Sequence, residues 1–152
     1  MTDANTPIDE AILKAIAQTL RTDDRVAEVV LVSGKGTAEH KHLAVTFDPA
    51  RYPAFVRGAD LAIQWYRNNG FNIHYTEIHS DDITGNGNNA WQCRWDRQSS
   101  THSTREHFHP PPDAGEPTDS QFPDDYRSVL SMVLAAVRAR IEELWQDYEE
   151  TK

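Results

Sequence analysis

The strongest constraint on the fold is a turn. Asn68-Asn69-Gly70 separates two runs, LAIQWYR (Leu61–Arg67) and FNIHYTEIH (Phe71–His79), both rich in aromatic and β-branched residues. Asn-Gly readily supplies the positive φ values of a primed turn, so the two runs read as the arms of an antiparallel hairpin. Side chains alternate along a strand. Leu61, Ile63, Trp65 and Arg67 therefore share one face, as do Ile73, Tyr75 and Glu77. A hairpin at the centre of the chain obliges the flanking segments to extend or cover an antiparallel sheet.

Those segments fit that demand. Val26–Val32 is β-branched and apolar enough for a buried strand, and Gly34-Lys35-Gly36 supplies a turn. Leu43–Phe47 reads as a second strand stopped by Asp48-Pro49, and PARYPAFVRG is then a connection. After the hairpin, DDITGNGNN (Asp81–Asn89) is a polar loop, Trp91–Asp96 a strand, residues 97–104 a turn and Arg105–His109 a returning strand halted by Pro110–Pro112. Residues 110–122 show no periodicity and are expected to form a mobile surface loop. Helices are expected at both ends. Thr6-Pro7-Ile8-Asp9-Glu10 has a cap, a first-position Pro and acids, followed by Ile12, Ile16 and Leu20 on one stripe. Pro123-Asp124-Asp125 opens a second helix of about 25 residues with Tyr126, Val129, Leu130, Val133, Val137, Ile141, Leu144, Trp145 and Tyr148 on its stripe, and Arg138, Arg140, Glu142 and Glu143 mostly off it. The expected fold is α+β: an N-terminal helix, an antiparallel meander sheet of about six strands and a long C-terminal helix, with both helices on one sheet face. The other face is left to solvent or a partner. Residues 1–152 are expected to form a single domain with 1–5 and 149–152 frayed.

Charge and cysteine content narrow the function. Asp and Glu number 24 against 15 Lys and Arg, a net charge of -9. Such a field disfavours nonspecific nucleic-acid binding and, with only 4 Lys among the 15 basic residues, suits a high-salt, halophilic cytoplasm. No apolar run reaches the roughly 18–20 residues of a membrane-spanning helix, and the acidic N-terminus lacks a signal peptide's basic and apolar regions. Cys93 is the single cysteine, so no internal disulfide forms and a reducing cytoplasm is expected.

One window departs from the acidic background. Between Arg94 and His109 lie Arg94, Arg97, Arg105, His102, His107 and His109, opposed only by Asp96 and Glu106. On paired strands, His107 and His109 share a face, as do Arg94 and Asp96, while Trp91, Cys93, Trp95 and Phe108 turn to the core. Three readings stay open. His107, His109 and His102 with Asp96 can perform acid–base chemistry while Arg94, Arg97 and Arg105 bind phosphate, as metal-independent RNA cleavage requires. His102, His107 and His109 can instead ligate a metal, although no zinc motif is present. The same residues can also be exposed polar groups that recognise an anion or a partner chain. Elsewhere, His40 and His42 read as solvated, His74 and His79 as hairpin residues near the cluster, and Cys93 as a buried thiol. No cofactor motif appears.

From Trp91 to Trp145 the chain, WQCRWDRQSSTHSTREHFHPPPD followed by FPDDYRSVLSMVLAAVRARIEELW, resembles the TumE-type family of small toxin–antitoxin proteins, particularly its haloarchaeal members. The shared layout is an aromatic-rich hairpin, an R-x-D strand, a spaced His, an H-x-H and a closing helix. The resemblance points at Arg94, Asp96, His102, His107 and His109. It implies a toxin that acts on RNA and is neutralised by a small antitoxin encoded nearby. A non-enzymatic interaction module, with the open sheet face or last helix binding a partner or forming a homodimer, is the alternative.

Overall fold

The computed structural model describes residues 7–33, 41–81, 88–99 and 104–150. Helix α1 (Glu10–Leu20) is followed by strands β1 (Val26–Val32), β2 (His42–Phe47), β3 (Val56–Trp65), β4 (Phe71–His79), β5 (Ala90–Ser99), β6 (Thr104–His109) and β7 (Thr118–Asp119), then helix α2 (Tyr126–Glu150). All seven strands form one antiparallel sheet in sequence order, the expected meander.

One face of this sheet is covered. Leu43, Val45, Phe47, Leu61, Ile63, Trp65, Phe71, Ile73 and Tyr75 meet Leu13, Ile16, Ala17 and Leu20 of α1 and Val129, Val133, Val137 and Leu144 of α2 in a single core. Trp65 and Phe71 close the hairpin end, stacked at 4.9 Å between ring centres. The opposite face carries smaller and polar residues, among them Thr46, Asp60, Gln64, Asn72 and His74, as alternation requires.

Several local expectations need correction. Pro7 and Ile8 are not helical: Ile8 bridges to Tyr66, and α1 is capped by Asp9, whose carboxylate accepts the Ile12 N–H at 3.2 Å. Asp9 serves as the cap because its short side-chain acceptor reaches the first turn's free N–H groups. The expected connection after Asp48 holds a short 3-10 turn (Pro49–Arg51), and β3 begins as early as Val56. The hairpin turn is longer than two residues. Tyr66 N–H donates to Gly70 C=O, Asn69 N–H to Tyr66 C=O, and Asn69 alone takes the positive φ, 69°. This is a type I turn followed by a left-handed residue, which also matches strand twist. Gly70 is needed for space, since a Cβ there would lie 2.8 Å from the Arg97 carbonyl oxygen. The 110–122 segment contains β7 and is bonded along its length: Gln92 N–H to Pro112 C=O, Gly115 N–H to Pro110 C=O, Ser120 N–H to Glu106 C=O. Finally, Arg140 lies on the buried side of α2 and reaches Glu77.

Candidate functional site

The pairing of β5 with β6 sets Asp96 opposite His107 and Arg94 opposite His109. All four side chains project from the open sheet face, because positions 94, 96, 107 and 109 have the parity opposite to core-facing Cys93, Trp95 and Phe108. His109 Nε2 lies 2.8 Å from Asp96 Oδ2, and its Nδ1 lies 3.1 Å from the Gly115 carbonyl oxygen. Both ring nitrogens thus face acceptors, and the neutral ring can donate to only one of them. The Arg94 guanidinium approaches the same ring, with Nη2 3.2 Å from Nε2, and its Nε lies 3.6 Å from Asp96 Oδ2. His107 sits between two carboxylates: Nδ1 is 3.6 Å from Asp96 Oδ1 and Nε2 is 3.5 Å from Asp119 Oδ1.

Burial grades these groups. Asp96 and His109 are only 6% and 9% exposed, whereas the His107 side chain is 24% exposed. Asp96 Oδ1 and Arg94 Nε are buried without a hydrogen-bond partner. A buried unpaired polar atom is costly and calls for a cause such as a water, an ion or a functional role. Among the described residues the third such atom, Trp65 Nε1, lies in the core, away from this cluster. His107 and exposed Arg105 line a polar cleft of about 390 Å³ with Thr104, Glu106, Asp119 and Ser120. His74 stands opposite Arg94 on β4, its Nε2 2.8 Å from Gln92 Oε1, so it borders the cluster.

Two other expected members are not in the described cluster: one is not described and one turns away. His102 lies outside the described residues, as do His40 and the Gly85–Gly87 part of the polar loop. Arg97 turns to the covered face and is 3% exposed. Its guanidinium lies 4.8 Å from the Phe71 ring centre and donates to the carbonyls of Asn69, Pro123 and Asp124. It ties the hairpin turn to the entry of α2 instead of reaching the His cluster. Among the described residues no three His, Cys, Asp or Glu side chains are arranged to hold a metal.

A second polar cluster lies on the covered face. Glu77, wholly buried, accepts from Arg140 Nε and Nη2 at 2.8 and 3.0 Å and from Tyr75 Oη at 2.8 Å. Its Oε1 also lies 2.7 Å from His79 Nε2. Tyr75 and Tyr52 hydroxyls pair at 2.8 Å, and Arg140 sits 3.7 Å from the Trp91 ring centre. Burial, then the neighbouring Tyr52 and Glu77, push the Tyr75 phenol far upward. Burial of Arg140 opposes its charge, but the Glu77 hydrogen bonds and Coulomb attraction outweigh that and raise its pKa. The shared parity of Tyr75, Glu77 and His79 was visible in the sequence. The Arg140 partner, 63 residues away, was not.

The family model for toxin TumE matches residues 14–141, and the chain belongs to that family. This is a family of toxin components of toxin–antitoxin systems, and such a toxin implies an antitoxin partner in general. The matched span contains both helix-facing and open sheet surfaces, and Arg94, Asp96, His107 and His109 fall within it. No curated protein and no solved structure matches the chain. No helix among the described residues is long and apolar enough to cross a membrane.

Proposed function

We propose that this toxin acts in the cytoplasm as a metal-independent ribonuclease, and that a small antitoxin encoded beside it silences that activity. The observation carrying this reading is the co-facial Arg94–Asp96–His107–His109 set, whose buried Asp96 Oδ1 lacks a donor. RNA carries its own nucleophile, so the protein has to move two protons and neutralise charge. His107, at the polar cleft, removes the ribose 2′-hydroxyl proton as that oxygen attacks phosphorus. Arg94 and Arg105 offset the charge added to the phosphoryl oxygens. His109 returns a proton to the departing 5′ oxygen, leaving a 2′,3′-cyclic phosphate, and Asp96 orients both imidazoles. Arg97 takes no part at the phosphate.

Purified protein incubated with RNA at high salt, in the presence of a chelator, should generate 2′,3′-cyclic phosphate ends. His107→Ala should abolish them. His109→Ala should lose most activity on RNA but retain it on a nucleoside 3′-nitrophenyl phosphodiester, whose leaving group needs no proton. Intact RNA under all these conditions would sink the proposal.

A non-enzymatic reading has its own support, since Asp96 and His109 are more than nine-tenths buried and bonded to each other. It predicts that the His107→Ala/His109→Ala double variant keeps its toxicity and antitoxin binding.

A further inference from the structure

The edge of the sheet furthest from the candidate site is formed by β1, VAEVVLV. Sheet edges are normally blunted by Lys, Pro, bulges or very short strands. β1 has seven residues with neither Lys nor Pro, and its bulge, between Val26 and Glu28, leaves Glu28–Val32 in regular register with β2. Its pairing with β2 fixes which backbone groups point outward. Asp48 N–H donates to the Arg25 carbonyl at 2.7 Å, so alternate residues of β2 from Asp48 turn toward β1, namely Thr46 and Ala44. These stand opposite Glu28 and Val30. Val29 and Leu31 therefore present their N–H and C=O to the outside. The Val29 carbonyl agrees, since it accepts from the Arg21 side chain at 3.3 Å.

We propose that a second copy of this chain pairs here, β1 against β1 in antiparallel register about Val29. In that register Glu28 stays clear of its own copy, whereas centring the pairing on Glu28 would set two carboxylates face to face. Val29 meets Val29 of the second copy, exchanging two backbone hydrogen bonds, and a carbonyl's second lone pair lets Arg21 stay in place. Glu28 meets Val30 on either side of the Val29 pair, before the bulge at Val26–Glu28 ends the regular stretch, so the single charge of the strand faces an apolar residue and never its own kind. Val30 is 42% exposed on the open face and is covered by this pairing. On the covered face, a groove of about 340 Å³ floored by Leu13, Ala17, Leu31 and Leu43 runs between α1 and the edge, and the second β1 extends over it. The product is one continuous sheet of twice the seven strands. The β6 site lies five strand spacings from β1, about 24 Å away, so both sites stay open.

Sedimentation of the purified protein at high salt should give twice the chain mass at micromolar concentration. Val29→Pro removes an outward N–H without touching the β1–β2 ladder and should yield folded monomer. Two further variants read the register. Val30→Glu sets like charges opposite Glu28 at two symmetric places and should raise the dimer dissociation constant about tenfold or more. Val30→Lys sets Lys opposite Glu28 and should leave the dimer intact or tighter. Circular dichroism confirms that each variant is folded. A monomer at all concentrations overturns the proposal. So does a dimer indifferent to Val29→Pro and Val30→Glu, and so does equal disruption by Val30→Glu and Val30→Lys. Occupation of the edge by an antitoxin strand would appear as a monomer alone and a one-to-one complex lost in Val29→Pro, and it too overturns the second-copy assignment.

Discussion

The two faces of the sheet carry nearly the same chemical parts and put them to different uses. On the covered face, Glu77, Arg140, His79, Tyr75 and Tyr52 close on one another, and each oxygen of the Glu77 carboxylate receives at least one short contact. On the open face, Asp96, Arg94, His107 and His109 lie as near in register, yet Asp96 Oδ1 and Arg94 Nε are left without partners. A saturated polar network stiffens a core. An incomplete one at a cleft, with a histidine reachable from solvent, is equipped to accept a substrate. Composition alone does not distinguish them; completeness of bonding does.

Removing one partner from each network is the most direct way to break this comparison. Glu77→Ala leaves the part-buried Arg140 guanidinium with only the exposed Glu143 as a carboxylate partner, and denaturant unfolding should show a loss of about 3 kcal/mol. Glu77→Gln, which keeps the shape and part of the bonding, should cost less. Asp96→Asn should act oppositely: RNA cleavage falls about 10²–10⁴-fold while the unfolding midpoint barely moves. If Asp96→Asn destabilises as much as Glu77→Ala and activity tracks only the folded fraction, the two faces do not differ in kind.

Arg97 offers the next test. Its guanidinium donates to three backbone carbonyls and stacks on Phe71, so Arg97→Ala should cost at least about 1.5–3 kcal/mol of stability. Cleavage by the folded fraction should be retained. A selective loss of RNA affinity would return Arg97 to the phosphate site.

The smallest effect is alkaline. Burial, and then the Glu77 charge, push the Cys93 thiol up to about 12. Burial likewise raises Tyr75 and Tyr52. Each folded-state pKa lies above its unfolded value, so the unfolded chain loses these protons first. The contribution to stability is therefore full below the unfolded values, about 8.5 for Cys and 10 for Tyr, and declines as pH rises beyond them. Unfolding midpoints should fall above about pH 9, less steeply in Cys93→Ala, and Cys93 should resist alkylation in the native protein at pH 8.

Much of this protein was set by its sequence. Alternation along LAIQWYR, FNIHYTEIH, WQCRWD and REHFH determined which residues face the core, because a strand's side-chain period leaves only two choices. The same parity brought Arg94, Asp96, His107 and His109 to one face, and the spacing of apolar residues gave α2 its length. Tertiary structure alone decided the rest. Arg97 and Arg140 are long side chains whose partners, the carbonyls of Asn69, Pro123 and Asp124 and the Glu77 carboxylate, lie far away in sequence. Whether such a side chain meets solvent or a buried acceptor depends on which segments pack over it, and no local period records that. The β7 pairing is of the same kind, two residues long and without β-branched periodicity to announce it beyond Thr118. Local pattern specifies faces; packing specifies which polar groups on those faces find partners and which are left to act.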